Sequence, residues 1–432
     1  MTEPTQAEAI TFFRDISIKH LNQYRPCEEW RNTLMLFSQT VPSVRHAAIA
    51  LALMHRRYLD YSDSRVYQPP ALKDRLPDKT PLLYYNRAIQ LLLNTESGDA
   101  KTTAVTMLVC YLFTCFDHLA GDDVQAMKHL RGGVALIENC TYDSQSGVST
   151  IISQVTEQIR RLDMQAVMFL VDWTPANIEE TFLSLALRDS TFRSLNEAAD
   201  YLQILIAQVM RLRNTEQQMC PTGTMPALPS SLKDLVLAQL ETWEGLFESL
   251  LRGSGSDFEI KGPLVSLLRL QHTIACILLR YGPGREMDYD KFLPQFQKCI
   301  ILADEVAAAH EQYSSSMSTF TPEIGFIPVL YIIGAKCRHP TVRREALRIL
   351  RRQFIREAAW DSLSTARVVE RVIEIEEGQM GEYMEQIPVW RRIEALSFVH
   401  IPGDLQRSAA RLDIEYTFCG LDGIHTESVI IE

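Results

Sequence analysis

Apolar residues recur every three or four positions along most of the chain, the spacing of one buried stripe on an α-helix. The pattern runs through "AEAITFFRDISIKHLNQY", "SVRHAAIALALMHRRYLDY", "PLLYYNRAIQLLLN", "DVQAMKHLRGGVALIENC" and "VTEQIRRLDMQAVMFLV". It resumes in "ANIEETFLSLALRD", "SLNEAADYLQILIAQVMRLRN", "SLKDLVLAQLETWEGLFESLLRG", "PLVSLLRLQHTIACILLRYG" and "YDKFLPQFQKCIILADEVAAAHEQY". Breaker-rich stretches at 68–81, 141–149, 214–231, 252–263 and 314–326 read as loops between these helices. None has the length or bias of an interdomain linker. The pattern predicts an all-α fold, an irregular bundle of stacked antiparallel helices. It is expected to form a single domain over 1–432, with 214–231 as the place for any subdivision.

One segment departs from helical spacing. In "RLDIEYTFCGLDGIHTESVIIE", Leu412, Ile414, Tyr416 and Phe418 alternate with Asp413, Glu415 and Thr417. Period two, followed by a glycine-bearing turn and a second β-branched stretch, predicts a C-terminal β-hairpin over 410–432.

Another segment, "TTAVTMLVCYLFTCFDHLAGDDVQAMKHL" (102–130), is nearly all apolar before it turns acidic. The run from Ala104 to Phe116 is too short for a bilayer, which needs about 20 apolar residues. A helix apolar on every side belongs in the middle of a helical protein. Cys110 and Cys115 are five apart, so a helix turns them about 140° from each other and they cannot easily share a metal. The segment is therefore expected to be core, with no membrane crossing.

The balance of 43 Lys+Arg against 54 Asp+Glu gives a net charge of −11, the wrong sign for a protein whose main partner is a phosphate backbone. Nine cysteines lie far apart with no C-x2-C pair, and the acidic N-terminus does not read as an export signal. These features predict free, mostly buried thiols and a protein of the nucleus, the cytoplasm or both.

Candidate chemistry is sparse. Asp122 and Asp123 in "GDD", with Asp117 upstream, could suggest an acidic metal site, but a helix end followed by a turn is the better reading. The histidines make no H-x-x-x-H spacing; His118 and His129 could meet across the turn, although capping or core roles fit better. No G-x-S-x-G, phosphate-binding loop or dinucleotide fingerprint occurs. The sequence thus assigns no catalytic, cofactor-binding or metal-binding residue, no cofactor, and no enzyme activity.

Arginines crowd one stretch: Arg338, Arg343, Arg344, Arg348, Arg351, Arg352 and Arg356. At 100° per residue, Val342, Ala346, Leu347, Ile349, Leu350 and Phe354 form an apolar arc. Most of the arginines fall opposite that arc and are expected to pair with carboxylates of this acidic chain. Arg343 falls inside the arc, where an unpaired charge is costly, so it should meet a carboxylate or helix-end carbonyls.

Several blocks resemble the regulatory region of fungal zinc-cluster transcription factors. They are "FFRDISIKHLNQY...EEWRNTLMLFSQTVPSVRHAAIALALMHRRYLD", "YYNRAIQLL", "MLVCYLFTCFDHLAGDDVQAMKHLRGGVALI" and "IPVLYIIGAKCRHPTVRREALRILRRQFIREAAWDS". The likeness spans roughly 10–375 and is weakest in the middle third. Members of that family usually carry a six-cysteine zinc cluster that reads DNA, and a coiled coil after it. This sequence has neither pattern. The resemblance implies a transcription regulator without direct sequence-specific DNA binding, acting through protein partners such as the transcription machinery or another regulator. Secondary-metabolite gene clusters are the expected setting, and a small-molecule effector fits the family. The alternative is a helical small-molecule-binding protein or enzyme of secondary metabolism built on the same scaffold.

Overall fold

Helices occupy most of the residues that the computed structural model describes: 3–66, 79–94, 100–139, 147–186, 191–218, 230–253, 262–280, 285–313, 318–378, 387–401 and 411–430. The chain divides into two units, one of residues 1–166 with 314–324 and 355–359, the other of 167–313, 325–354 and 360–432.

In the first unit, α1 (Glu3–Phe12) passes through a π-turn (Phe13–Ser17) into α2 (Ile18–Leu21). There follow α3 (Glu28–Thr40), α4 (Pro42–Val66), α5 (Thr80–Leu93), α6 (Ala100–Ala120), α7 (Asp123–Glu138) and α8 (Gly147–Gln165). α4 packs on α5 and α6, and α6 packs on α7 and α8. The helix α6 runs well beyond the apolar run seen in the sequence. At 21 residues with a mean hydropathy of 1.4, it is long and apolar enough to cross a membrane, as is the helix Gly262–Arg280. Its residues from Tyr111 to Leu119 are nevertheless all buried in protein, the core position expected of it. The approach of α7 is close because Gly133 has no side chain: a Cβ there would lie 3.0 Å from Ile159 Cδ1 on α8 and 3.6 Å from Cys110 Cβ on α6.

The second unit contains α9 (Ile178–Ala186), α10 (Leu195–Gln218), α11 (Ser230–Gly253), α12 (Gly262–Arg280), α13 (Leu293–Tyr313), α14 (Ile327–Lys336), α15 (Pro340–Leu350) and α16 (Ser362–Glu377). α10 packs on α11 and α12, α12 on α13, and α14 on α15 and α16. At the last crossing, a Cβ on Gly334 would sit 2.4 Å from Val369 Cγ1, so only glycine permits this separation.

Short strands β1 (Ser318–Thr321), β2 (Phe354–Glu357) and β3 (Trp360–Asp361) precede α16. β1 lies in a stretch expected to be a loop. The arginine-rich helix also stops sooner than its periodicity suggests: Arg351 caps α15, and Arg352, Phe354 and Arg356 lie beyond it. Tertiary burial overrides helical propensity here, since Ile355 and Glu357 are buried as part of β2 in the first unit. The other expected loops fall largely outside the described residues; where they are described, at 80–81, 147–149, 214–218, 230–231, 252–253 and 262–263, the chain is helical.

The expected C-terminal hairpin is present as β5 (Arg411–Phe418) and β6 (His425–Ile430), paired antiparallel with Leu412 opposite Val429. Leu412, Ile414 and Val429 bury against Val368 of α16. A third strand that the pattern does not predict, β4 (Ile393–Ile401), pairs antiparallel with β5. Ala395 and Val399 face outward on β4, so apolar residues occupy both faces and the two-residue alternation is invisible in its sequence.

Arg343 is fully buried, as its place in the apolar arc requires. Its Nη2 donates to Glu376 Oε2 at 2.8 Å and, with Nε, to the Gly334 carbonyl at the end of α14 (3.1 and 3.2 Å). Arg348, by contrast, is half-exposed and pairs with Asp304 and Glu345. Arg343→Ala should therefore cost roughly 3–5 kcal/mol by leaving a buried carboxylate short of a partner. Arg348→Ala should cost about 0–1 kcal/mol. Paired thermal melts check this; equal, small shifts would show that Arg343 contributes no buried pair.

Candidate functional site

Two polar groupings and one cavity stand out from the helical packing. The first lies where α6 ends. Gly121 takes a left-handed conformation (φ 78°), its N–H bonds to the His118 carbonyl (3.1 Å), and the Asp122 N–H reaches the Asp117 carbonyl (2.9 Å). These two bonds close the helix in a Schellman motif, for which glycine is favoured. Asp122 then caps α7 by accepting from the Gln125 N–H at 3.0 Å. The "GDD" stretch is thus a helix stop followed by a helix start.

The side chains around that corner are interlinked, with Asp117, His118 and Tyr85 buried and Asp123 and His129 part-buried. His118 Nδ1 lies 2.8 Å from Asp123 Oδ1, whereas His129 Nε2 lies 3.6 Å from Asp117 Oδ2 and 2.5 Å from the Tyr85 hydroxyl. Each histidine therefore meets its own carboxylate. Tyr85 stacks on Phe113, with ring centroids 3.9 Å apart, and donates to Asp117 at 3.3 Å. Burial pushes the Asp117 carboxyl up to about 7, opposed by the Tyr85 hydroxyl and helped by the nearby Asp122 charge. Burial likewise pushes His129 below its ordinary value, with Lys128 adding to the effect.

The second grouping joins α14, α15, α16 and β4. Glu376 is 1% exposed and accepts from Arg338 Nη2 (2.7 Å), Arg343 Nη2 (2.8 Å) and the Ile393 N–H (2.9 Å). Arg338 also pairs with Glu286 at 2.7 Å, and Lys336 bridges Glu286 (2.8 Å) to the carbonyls of Ile393 and Glu394. Glu377 stands 3.5 Å from Arg343 and pairs with the half-exposed Arg344. Three carboxylates thus face three buried or part-buried cations, with Arg344 at the rim. The outer arginines are equally engaged: Arg351 with Glu370 at 2.7 Å, and Arg352 with Glu311 at 2.6 Å. Apart from Arg356, which lies in the first unit and donates to the Ala358 carbonyl at 3.2 Å, the run is a set of ion pairs within the second unit.

Third, a cavity of about 170 Å³ opens within the second unit, lined mainly by apolar side chains of α10, α12, α14 and α16, with Trp360 and β4 completing it.

Among the described residues, no group of three or more His, Cys, Asp or Glu side chains is placed to hold a metal. The seven described cysteines are free, five of them buried; Cys140 and Cys220 lie outside the described residues. Burial raises the Cys110 thiol to about 11 and raises Cys115 further.

Comparison with known proteins singles out the N-terminal part of the chain. Residues 11–175 match the family described as the fungal specific transcription factor domain. The matched stretch is similar to that family. It coincides almost entirely with the first unit. The chain is also similar to the aspercryptin biosynthesis cluster-specific transcription regulator of Emericella nidulans, at 21% identity over 406 aligned residues. That alignment covers 74% of this chain and 65% of the relative's length. No solved structure matches the chain.

The sequence reading found Arg343 but not the rest of its network. A signal for Glu376 was available: with Val369, Val372 and Ile373 it occupies one arc of α16, the same anomaly that marks Arg343. The link from Tyr85 to His129 and Asp117 joins three helices of the matched stretch and leaves no trace in local spacing.

Asp117 gives a pH test. Its folded pKa of about 7 lies above the unfolded value of about 3.9, so its stabilising contribution is complete below the unfolded value and is lost as pH rises through the folded one. Asp117→Asn, which cannot ionise, should gain on the wild type by several degrees in melting temperature between pH 5 and pH 8. A constant gap across that range would mean that Asp117 is ionised throughout.

Proposed function

We propose that this chain regulates transcription of a secondary-metabolite biosynthetic gene cluster, acting in the nucleus through protein partners and without reading DNA itself. The match to the fungal specific transcription factor domain over 11–175 carries the reading, and the relative's assignment to one biosynthetic cluster supports its setting. Two physical observations support the absence of direct DNA contact. The net charge is −11, opposite to that of a phosphate binder. The conspicuous arginine run is already matched by carboxylates, leaving few free guanidinium groups to neutralise phosphates.

Fusing the chain to an independent DNA-binding module tests the role. The fusion should change reporter transcription several-fold relative to the module alone. The chain by itself should give no sequence-selective shift of duplex DNA at about 0.15 M salt, where non-specific contacts are weak. Unchanged reporter output would count against the regulatory role, and a selective shift would count against partner-mediated action.

A further inference from the structure

The cavity of the second unit is apolar over most of its wall, yet two polar groups there are unengaged. Asn214, buried at 8% exposure near the end of α10, donates through Nδ2 to the Val171 carbonyl at 3.2 Å. A carbonyl can only accept, so this bond fixes the amide orientation and leaves Oδ1 as the free end. No described residue donates to that oxygen. Tyr331 on α14 lines the same cavity; its ring meets Trp360 with centroids 5.4 Å apart, and its hydroxyl bonds to no described residue. Burial raises that phenol above its ordinary value, so it remains a protonated donor. Both groups border the open cavity, where water or a bound molecule completes them.

The cavity volume of about 170 Å³ is slightly larger than the dry cavity of about 150 Å³ that accommodates benzene in an engineered protein. A single ring therefore fits. Met168, Met210 and Leu278 supply apolar and polarizable surface for such a ring. The cations at the rim are not free to recruit a strong anion, because Lys336 is held by Glu286 and two carbonyls and Arg213 donates to the Tyr289 hydroxyl at 3.2 Å. A neutral hydroxyl has the donor that Asn214 Oδ1 lacks and the acceptor that the Tyr331 hydroxyl lacks.

We infer that this cavity is a binding site for a compact, uncharged, ring-sized molecule bearing a hydroxyl group, with phenol as the simplest member of the class. The inference goes beyond the regulatory reading and stands without it, because binding is read on the purified chain and not through transcription.

The test titrates the full chain with phenol and with toluene, which has the ring without the hydroxyl, by calorimetry and ligand-observed NMR. Phenol should bind saturably and about five-fold or more tighter than toluene, the margin that one or two net hydrogen bonds supply. Tyr331→Phe should remove most of that margin and leave toluene unchanged. Ala335→Leu, which fills the cavity from α14, should abolish binding of both. Ile332→Phe repeats the filling from the same helix if Ala335→Leu fails to fold, as judged by its thermal melt. Absence of saturable phenol binding, which would leave water as the cavity's occupant, overturns the inference. So does equal affinity for phenol and toluene, or phenol binding that survives the filled cavity.

Discussion

A single carboxylate, Glu376, holds the C-terminal half of the second unit in register. An unpaired charge in its position would cost several kcal/mol. The fold meets that cost with two guanidinium groups from the loop after α14 and from α15, and with a backbone N–H from the first residue of β4. Burial alone would raise its pKa; Arg338 and Arg343 outweigh burial and hold it down to about 2. The group is therefore ionised at any ordinary pH, and its partners are never offered a neutral acid. Gly334 completes the arrangement, because its missing side chain brings α14 onto α16 and its carbonyl receives Arg343.

The first unit is organised on the opposite principle. Its centre, α6, is apolar around nearly its whole circumference, and packing on α4, α7 and α8 defines it. Polar groups collect only at its C-terminal end, where Asp117, Tyr85 and His129 satisfy one another with neutral partners available. The second unit thus centres on a buried ionic lattice, whereas the centre of the first is set by the packing of α6.

Much of this was legible in the sequence, and the reasons differ by element. Helical period and the C-terminal hairpin are local signals, and they read correctly. Arg343 was legible because a charge inside an apolar arc has few physical solutions. Its partners were not, since Glu376 lies thirty-three residues away and only the fold brings α15 to α16. The early end of α15 was hidden because Ile355 and Glu357 find burial as a strand, a preference that no local residue announces. The cavity was illegible for the same reason: its two open polar groups come from different helices, and their lack of partners exists only in three dimensions.

The way β4 is fastened also bears on how chains of this kind can diverge in length. Ile393 is tied to Glu376 through its N–H, and Arg392, fully buried, reaches back to the Ile387 carbonyl at 3.2 Å and to Asp290 at 2.9 Å. One residue gained or lost between Ile387 and Ile393 would break one of these ties or shift β4 against β5. The six-residue step from Ile387 to Ile393 is a fixed spacer, and its length is under tighter constraint than its sequence.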